Sequence, residues 1–243
     1  MTHEIDCLQV EEIIAKTATG ITEPFLCRLS DDDRYVVKGR GALVRGLLSE
    51  ICCAKLASAL GLPVPDFAIA QTRADLFALN AEAKSSLGVG FGFGSKYMPN
   101  VTEIDWNSLK GISATILRRI FVFDYWVKNS DRTGTEWGGN SNLLFDVSEK
   151  RLVMIDHNLA FERNFDVDQF NSLHICSKFW FDSSNLLDRV ELQQRFAVAR
   201  DTLADIEEAL PEAWLETEPA LLDEIRATLD ASDTEEFWDR IQP

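Results

Sequence analysis

The hydrophobic pattern of the first hundred residues predicts short strands around one helix. Apolar runs at 25–29 and 35–38 flank an Asp-rich turn and predict a β-hairpin, and 67–70 predicts a further strand. Residues 10–16 mix polar and apolar positions, which suits either a strand or a short helix. Residues 42–60 place leucine, isoleucine and alanine at helical spacing until Gly61, so they predict a helix.

The remainder of the chain is predicted to be mainly helical. The glycine-rich stretch 88–99 is expected to begin flexible and to end extended. A second helix is predicted over 112–128, and a second hairpin over 143–155. The stretch 183–241 is acidic and helical, with breaks near its prolines. These elements predict an α+β, two-lobed fold with a β-rich lobe at 1–95, a mainly helical lobe at 96–243, and a ligand cleft between them.

Composition and charge exclude several classes of function. The chain has 243 residues and a formal net charge of −16, so direct binding to nucleic acid is not expected. The five cysteines include no C-x-x-C pair, which favours reduced thiols in the cytoplasm over disulfides or structural zinc. No signal peptide and no apolar run of about 18 residues is present, so no membrane association is expected.

Two charged residues suggest a way to hold phosphate groups. Lys38 ends the second strand of the first hairpin, and Glu50 lies on a half-buried stripe of the 42–60 helix. No cation lies three or four residues from Glu50, so Lys38 is its best partner. Such a pair would aim the ammonium at the phosphates of ATP. The alternatives are an unpaired strand-end lysine, a solvated glutamate, and an ion pair of Glu50 within the helix, for which Arg45 and Lys55 lie five residues away and fit less well.

Oxygen ligands follow in the order that phosphoryl transfer from ATP requires. Asp131 lies in the polar loop that follows the second helix, Asn140 and Asn142 precede a strand, and Asp156 follows the second hairpin. Carboxylate and amide oxygens suit Mg²⁺ and do not suit zinc. Each residue alone is also a common turn former.

The turn-rich segment between residues 10–16 and the first hairpin contains a candidate phosphate-covering loop. Residues 19–22, which include Gly20 and Thr22, offer hydroxyl and amide donors. With a single glycine, a plain turn is an equal alternative.

The same residues carry a resemblance to the HipA-like kinases, which are distantly similar to phosphoinositide and protein kinases. The resemblance covers about residues 10–180 and is carried by YVVK at 35–38, LSE at 48–50, FGSKYM at 93–98, NSDRT at 129–133, NLL at 142–144 and IDH at 155–157.

The resemblance implies a kinase-like fold and a role for each site residue. It implies ATP and Mg²⁺ as cofactors and a Ser/Thr protein kinase as the activity. The implied roles are Lys38 on the phosphates with Glu50 as its partner, Asp131 as catalytic base, Asp156 and either Asn140 or Asn142 as Mg²⁺ ligands, and a hinge at Ser95, Tyr97 and Met98 against adenine.

The family includes toxins of toxin–antitoxin modules, so an antitoxin or regulatory protein is an expected partner beside the protein substrate. Some members also phosphorylate themselves in the phosphate loop, where Thr17, Thr19 and Thr22 are candidates here. The insert 133–139 separates Asp131 from the two asparagines, and its glycine-rich part, 134–139, is a candidate mobile substrate loop. The alternatives are a nucleotide-binding pseudokinase, a lipid or sugar kinase, and a metal-dependent hydrolase built on Asp131, Asp156 and His157.

Overall fold

Five strands near the N-terminus close into a barrel. The computed structural model describes residues 4–17, 22–78, 80–135, 138–182 and 188–241. The strands are β1 (Cys7–Lys16), β2 (Phe25–Leu29), β3 (Arg34–Lys38), β4 (Phe67–Thr72) and β5 (Gly90–Lys96), in the order β1-β2-β3-β5-β4. β1 and β4 pair in parallel and close the barrel, while the other pairs are antiparallel. The predicted first hairpin is confirmed, and residues 10–16 belong to a strand.

Strand alternation fills the barrel with its own core. Tyr35 and Val37 of β3 and Cys27 and Leu29 of β2 are buried and belong to one hydrophobic cluster. This cluster is distinct from the larger core of the protein. Two short helical segments lie between β4 and β5, a 3₁₀ turn at Ala74–Ala78 and α2 (Ala83–Ser86).

The expectation of flexibility at the start of the glycine-rich stretch is wrong. Residues 90–96 form β5, which pairs with β3 on one side and with β4 on the other. A Cβ at Gly92 would lie 2.4 Å from the carbonyl oxygen of Lys38. The glycine therefore serves the close approach of two backbones beside the end of β3.

The first long helix, α1 (Leu43–Ala59), follows a 3₁₀ turn at Arg40–Ala42 and agrees closely with the prediction. Leu47, Leu48, Ile51 and Leu56 are buried in the larger core, which also contains residues of the helical part. α1 contacts both β4 and β5, so it carries Glu50 alongside the barrel.

A second, three-stranded sheet and a second long helix follow. The strands β6 (Val101–Glu103), β7 (Leu143–Asp146) and β8 (Arg151–Met154) form an antiparallel sheet in that order. A 3₁₀ turn at Ser108–Gly111 precedes α3 (Ala114–Trp126). The predicted hairpin and helix are confirmed, whereas β6 was not predicted.

Short helices complete the C-terminal part. They are α4 (Val167–Leu173), α5 (Ser177–Phe181), α6 (Asp188–Arg200), α7 (Leu203–Ala209), α8 (Glu212–Thr217), α9 (Leu221–Asp230), a 3₁₀ turn at Ala231–Asp233, and α10 (Glu235–Asp239). Their apolar sides pack on α3: the rings of Trp126 and Phe196 stack 4.0 Å apart. In the described ranges, every helix is too short or too polar to cross a bilayer.

Candidate active site

The ammonium group of Lys38 lies between two carboxylates. Its Nζ is 2.5 Å from Oε1 of Glu50 and 2.6 Å from Oδ1 of Asp156. Lys38 is the last residue of β3, Glu50 lies in α1, and Asp156 follows β8, so three separate elements meet at one cation. The predicted Lys38–Glu50 ion pair is present, whereas the contact of Asp156 with the same ammonium was not predicted.

Burial strengthens this ion pair and sets its charge state. Burial alone would lower the pKa of Lys38, but the carboxylates of Glu50 and Asp156 outweigh it and raise the pKa. Burial raises the pKa of Glu50, whereas Lys38 and the backbone N–H of His157 act in the opposite direction. That N–H donates to Oε2 of Glu50 at 3.1 Å, so both carboxylate oxygens have a donor. Lys38 is therefore a charged group held in a fixed place.

Asp131 lies beside both predicted asparagines. The side-chain amides of Asn140 and Asn142 each donate to Oδ2 of Asp131 at 3.0 Å. The insert folds back to make this possible, because the N–H of Thr133 donates to the carbonyl of Asn140. Within the described ranges, Oδ1 of Asp131 accepts no hydrogen bond. One oxygen of Asp131 is thus free to accept a proton.

Backbone contacts join the Asp131 loop to the segment of Asp156. The N–H of Ile155 donates to the carbonyl of Asn142 at 3.1 Å. Asn142 and Asp156 have φ values of 45° and 59°, a left-handed conformation that is uncommon for residues other than glycine. Such strain costs about 1–3 kcal/mol per residue and occurs preferentially at functional sites.

A buried polar cluster behind the loop was missed at the sequence level. The side chains of Asp124, Arg132, His157 and His174 are all almost completely buried. Arg132 donates to Asp124 at 2.7 Å and to Nε2 of His157 at 2.9 Å, and His174 contacts Asp124 at 2.9 Å. The available signal was Asp124 itself, a single carboxylate within the apolar run 120–127.

Electrostatics within this cluster favour an ionised Asp124 and neutral histidines. Burial would raise the pKa of Asp124, but Arg132 and His174 outweigh it and hold the pKa below its usual range. Burial and the Arg132 guanidinium lower the pKa of His157 to about 3, and burial lowers the pKa of His174. His157 is therefore a neutral acceptor for Arg132.

The predicted hinge begins beside the middle of β3 and continues past its first residue, away from Lys38. Ser95 pairs with Val36, and the N–H of Tyr97 donates to the carbonyl of Arg34 at 2.7 Å. Arg34 and Lys38 are four positions apart in β3, or about 13 Å at strand spacing. Met98 follows Tyr97 in the connection to β6.

Part of the predicted phosphate loop lies outside the described residues. Gly20 and Thr19 belong to the undescribed range 18–21, whereas Thr22 is described. The carbonyl of Thr22 lies 2.8 Å from where a Cβ of Gly41 would stand, so this side of the loop lies close to the segment between Lys38 and α1.

The donor groups suit a hard divalent cation. Asp156 offers its second carboxylate oxygen, and Asn142 offers its amide oxygen, because only its nitrogen is used on Asp131. His157 is committed to Arg132. Among the described residues, no three His, Cys, Asp or Glu side chains form a metal-binding group. This donor set fits Mg²⁺ held together with nucleotide phosphates better than the metal cluster of a hydrolase.

Comparisons with known proteins identify the family. The sequence profile of the HipA-like kinases matches residues 10–241. Among solved structures, the Helicobacter pylori proinflammatory kinase CtkA is similar, with a TM-score of 0.56 and 14% identity over 91% of this chain and 94% of that chain. The Golgi casein kinase aligns with a TM-score of 0.47 and 11% identity, over 95% of this chain and 74% of that one. No curated protein sequence matches the chain.

The similarity to CtkA shows the fold of the chain, and the match to the family profile shows the family to which it belongs. The two-part α+β architecture predicted from the sequence is a kinase fold, with a β-rich N-terminal part and a helical C-terminal part. The profile extends over nearly the whole chain, from β1 to the end of the C-terminal helices. The chain belongs to the HipA-like kinase family and is a phosphotransferase.

Proposed function

We propose that this protein transfers the γ-phosphate of ATP to a Ser or Thr hydroxyl of a protein substrate. The observation that carries the proposal is the position of Lys38, fixed by Glu50 and Asp156 at the end of a barrel strand. In kinases this arrangement holds the nucleotide phosphates, because a buried ammonium with a carboxylate partner keeps both its charge and its position. Family membership supports the use of a nucleotide and a divalent metal.

Each remaining residue has a role that its contacts support. Asp131 accepts the proton of the attacking hydroxyl through its free Oδ1, while the two asparagines hold its other oxygen. Asp156 binds Mg²⁺, which neutralises charge on the transferred group when bound. Adenine binds at the hinge of Ser95, Tyr97 and Met98, which begins beside the middle of β3 and continues away from Lys38.

We assign the second Mg²⁺ ligand to Asn142 rather than Asn140. Asn142 is buried, and its carbonyl accepts from Ile155, the residue directly before Asp156. Asn140 is exposed, and its N–H donates to the hydroxyl of Thr133 within the insert. The contact with Ile155 fixes Asn142 against the segment of Asp156, and none of the contacts of Asn140 does so.

Radiolabelled phosphate transfer from [γ-³²P]ATP to lysate proteins tests the proposal. We expect transfer by the parent and its loss in Asp131→Asn. Asp32→Asn is the matched control, since Asp32 is likewise an aspartate outside helix and strand but lies exposed in the turn between β2 and β3. Equal labelling by the parent and Asp131→Asn contradicts the assignment of the base. Nucleotide binding without any transfer would instead identify a pseudokinase.

A toxin role in the cytoplasm is a further part of the proposal. All five cysteines are free thiols and four of them are buried, as suits a reducing compartment. We expect induced expression to stop growth of the host cell in the parent but not in Asp131→Asn. Normal growth with an active parent enzyme would remove the toxin role and leave the kinase assignment intact. An antitoxin partner would then have no basis either.

A further inference from the structure

The guanidinium of Arg132 contacts both of the segments that carry the proposed Mg²⁺ ligands, Asn142 and Asp156. It is fully buried, next to Asp131 in the chain. Nη1 donates to the backbone carbonyl of Asn142 and lies 3.4 Å from that of Ile155, the residue before Asp156. Nη2 donates to the ring of His157, whose backbone N–H donates to Glu50.

Arg132 is itself held in place by the buried side chains of Asp124 and His174. Its Nε donates to Oδ2 of Asp124, and the same oxygen accepts from Nε2 of His174. The N–H of Cys176 donates to Nδ1 of His174, so the ring proton must reside on Nε2, facing Asp124. The other oxygen of Asp124 accepts from the amide of Asn129, at the start of the loop. The carboxylate therefore has a partner at both oxygens.

Stability alone does not account for an arginine at this position. A buried ion pair is often replaceable by apolar side chains at little or no cost in stability, because desolvation offsets the attraction. The planar, forked guanidinium group supplies what an apolar side chain does not, namely several N–H donors in fixed directions. Here those donors point at the carbonyls of Asn142 and Ile155 and at His157, so one rigid group sets the spacing between separate segments.

We propose that Arg132 is a positioning residue that sets the places of Asn142 and Asp156 relative to Asp131, and that Asp124 and His174 hold it in that role. The inference rests on the proposed function, since it concerns the geometry of the same site. Arg132 touches neither nucleotide nor acceptor in this scheme. It acts through the backbone of the metal-binding segments.

Arg132→Lys is the primary test, because it keeps a cation beside Asp124 and removes the fork. We expect the Mn²⁺ concentration needed for ADP binding to rise about 10–100-fold, and kcat to fall by a similar factor, as is usual when groups that orient metal ligands are changed. A purely structural role would lower the melting temperature and leave both constants unchanged well below it. A folded Arg132→Lys protein with both constants within about twofold of the parent overturns the proposal.

His174 provides a second pair of variants in case Arg132→Lys does not fold. His174→Gln keeps an N–H donor near Asp124, so the Mn²⁺ concentration needed for ADP binding is expected to stay close to that of the parent. His174→Leu removes the donor, so that concentration is expected to rise. If His174→Leu lowers only the melting temperature, the proposal is wrong. A parent that binds ADP with Mn²⁺ but transfers no phosphate would refute the proposed function, and the binding titration would still decide the role of Arg132.

Discussion

Replacing Lys38 by methionine should leave two carboxylates facing each other without a cation. Oε1 of Glu50 and Oδ1 of Asp156 both contact Nζ, so they are at most about 5 Å apart. At an effective dielectric constant of about 20, two charges at that distance repel by about 3 kcal/mol. Removing one partner of a buried pair typically costs about 3–5 kcal/mol.

The partial exposure of Asp156 places the expected loss of unfolding free energy at the lower end of that range. Glu50 has 2% of its side chain exposed, but Asp156 has 30% and is able to turn towards water. We therefore expect Lys38→Met to lower the free energy of unfolding by about 3 kcal/mol at neutral pH, without nucleotide. Urea unfolding followed by tryptophan fluorescence measures it. Lys84→Met is the control, because Lys84 is exposed in α2.

The pH dependence and a double variant make this test specific. Without the ammonium, burial and Asp156 both raise the pKa of Glu50 in the folded state above its unfolded value. A raised carboxyl pKa means that the folded state gains stability as pH falls, so the loss caused by Lys38→Met should shrink in mild acid. Adding Glu50→Gln removes one of the two charges and should restore most of the stability. A Lys38→Met protein as stable as the parent, or one that Glu50→Gln does not rescue, would refute the reasoning.

Three further expectations concern the metal site, the buried histidine and the core. Asn142→Ala should raise the Mg²⁺ concentration needed for phosphate transfer about 10–100-fold, whereas Asn140→Ala should change it little. Equal shifts of the two variants in a metal titration would contradict the assignment of Asn142 as the Mg²⁺ ligand. Burial lowers the pKa of His174, so below about pH 6.5 the unfolded state binds a proton that the folded state does not. Stability should then fall by up to about 1.4 kcal/mol per pH unit, and His174→Gln should reduce that slope in urea unfolding; an unchanged slope would exclude His174 as a cause. Phe196→Ala removes the stack on Trp126 and should cost about 3–5 kcal/mol in thermal or urea unfolding, so a loss near zero would place α6 outside the core.

The Lys38–Glu50 pair was predictable because local rules converge on it. Strand alternation and helix periodicity each gave a side-chain direction, and the helix offered Glu50 no cation of its own. A carboxylate on a buried stripe then requires a cation from elsewhere. The contact of Lys38 with Asp156 did not follow, since it joins residues 118 positions apart and depends on how β8 lies against the barrel.

The misread stretch 88–99 and the missed cluster share a physical cause. Glycine in a sequence signals conformational freedom, yet Gly92 is needed because the backbone of Lys38 passes too close for a side chain. Likewise, Asp124 and His174 are 50 residues apart, and the place of Asp124 in an apolar run does not tell which residues surround it. Only the tertiary packing shows that one side chain, Arg132, links them to the loop of Asp131.

The charge of the site explains why a divalent cation belongs to the proposed reaction. Lys38 brings one positive charge against the carboxylates of Glu50, Asp131 and Asp156, on a chain whose formal net charge is already −16. Lys38 alone therefore does not offset both its carboxylate partners and the negative charge of nucleotide phosphates. Asp156 would hold a divalent cation, which would supply the positive charge that Lys38 alone lacks. Under the proposed function, holding the nucleotide therefore depends on the positions of Asn142 and Asp156 as well as on Lys38.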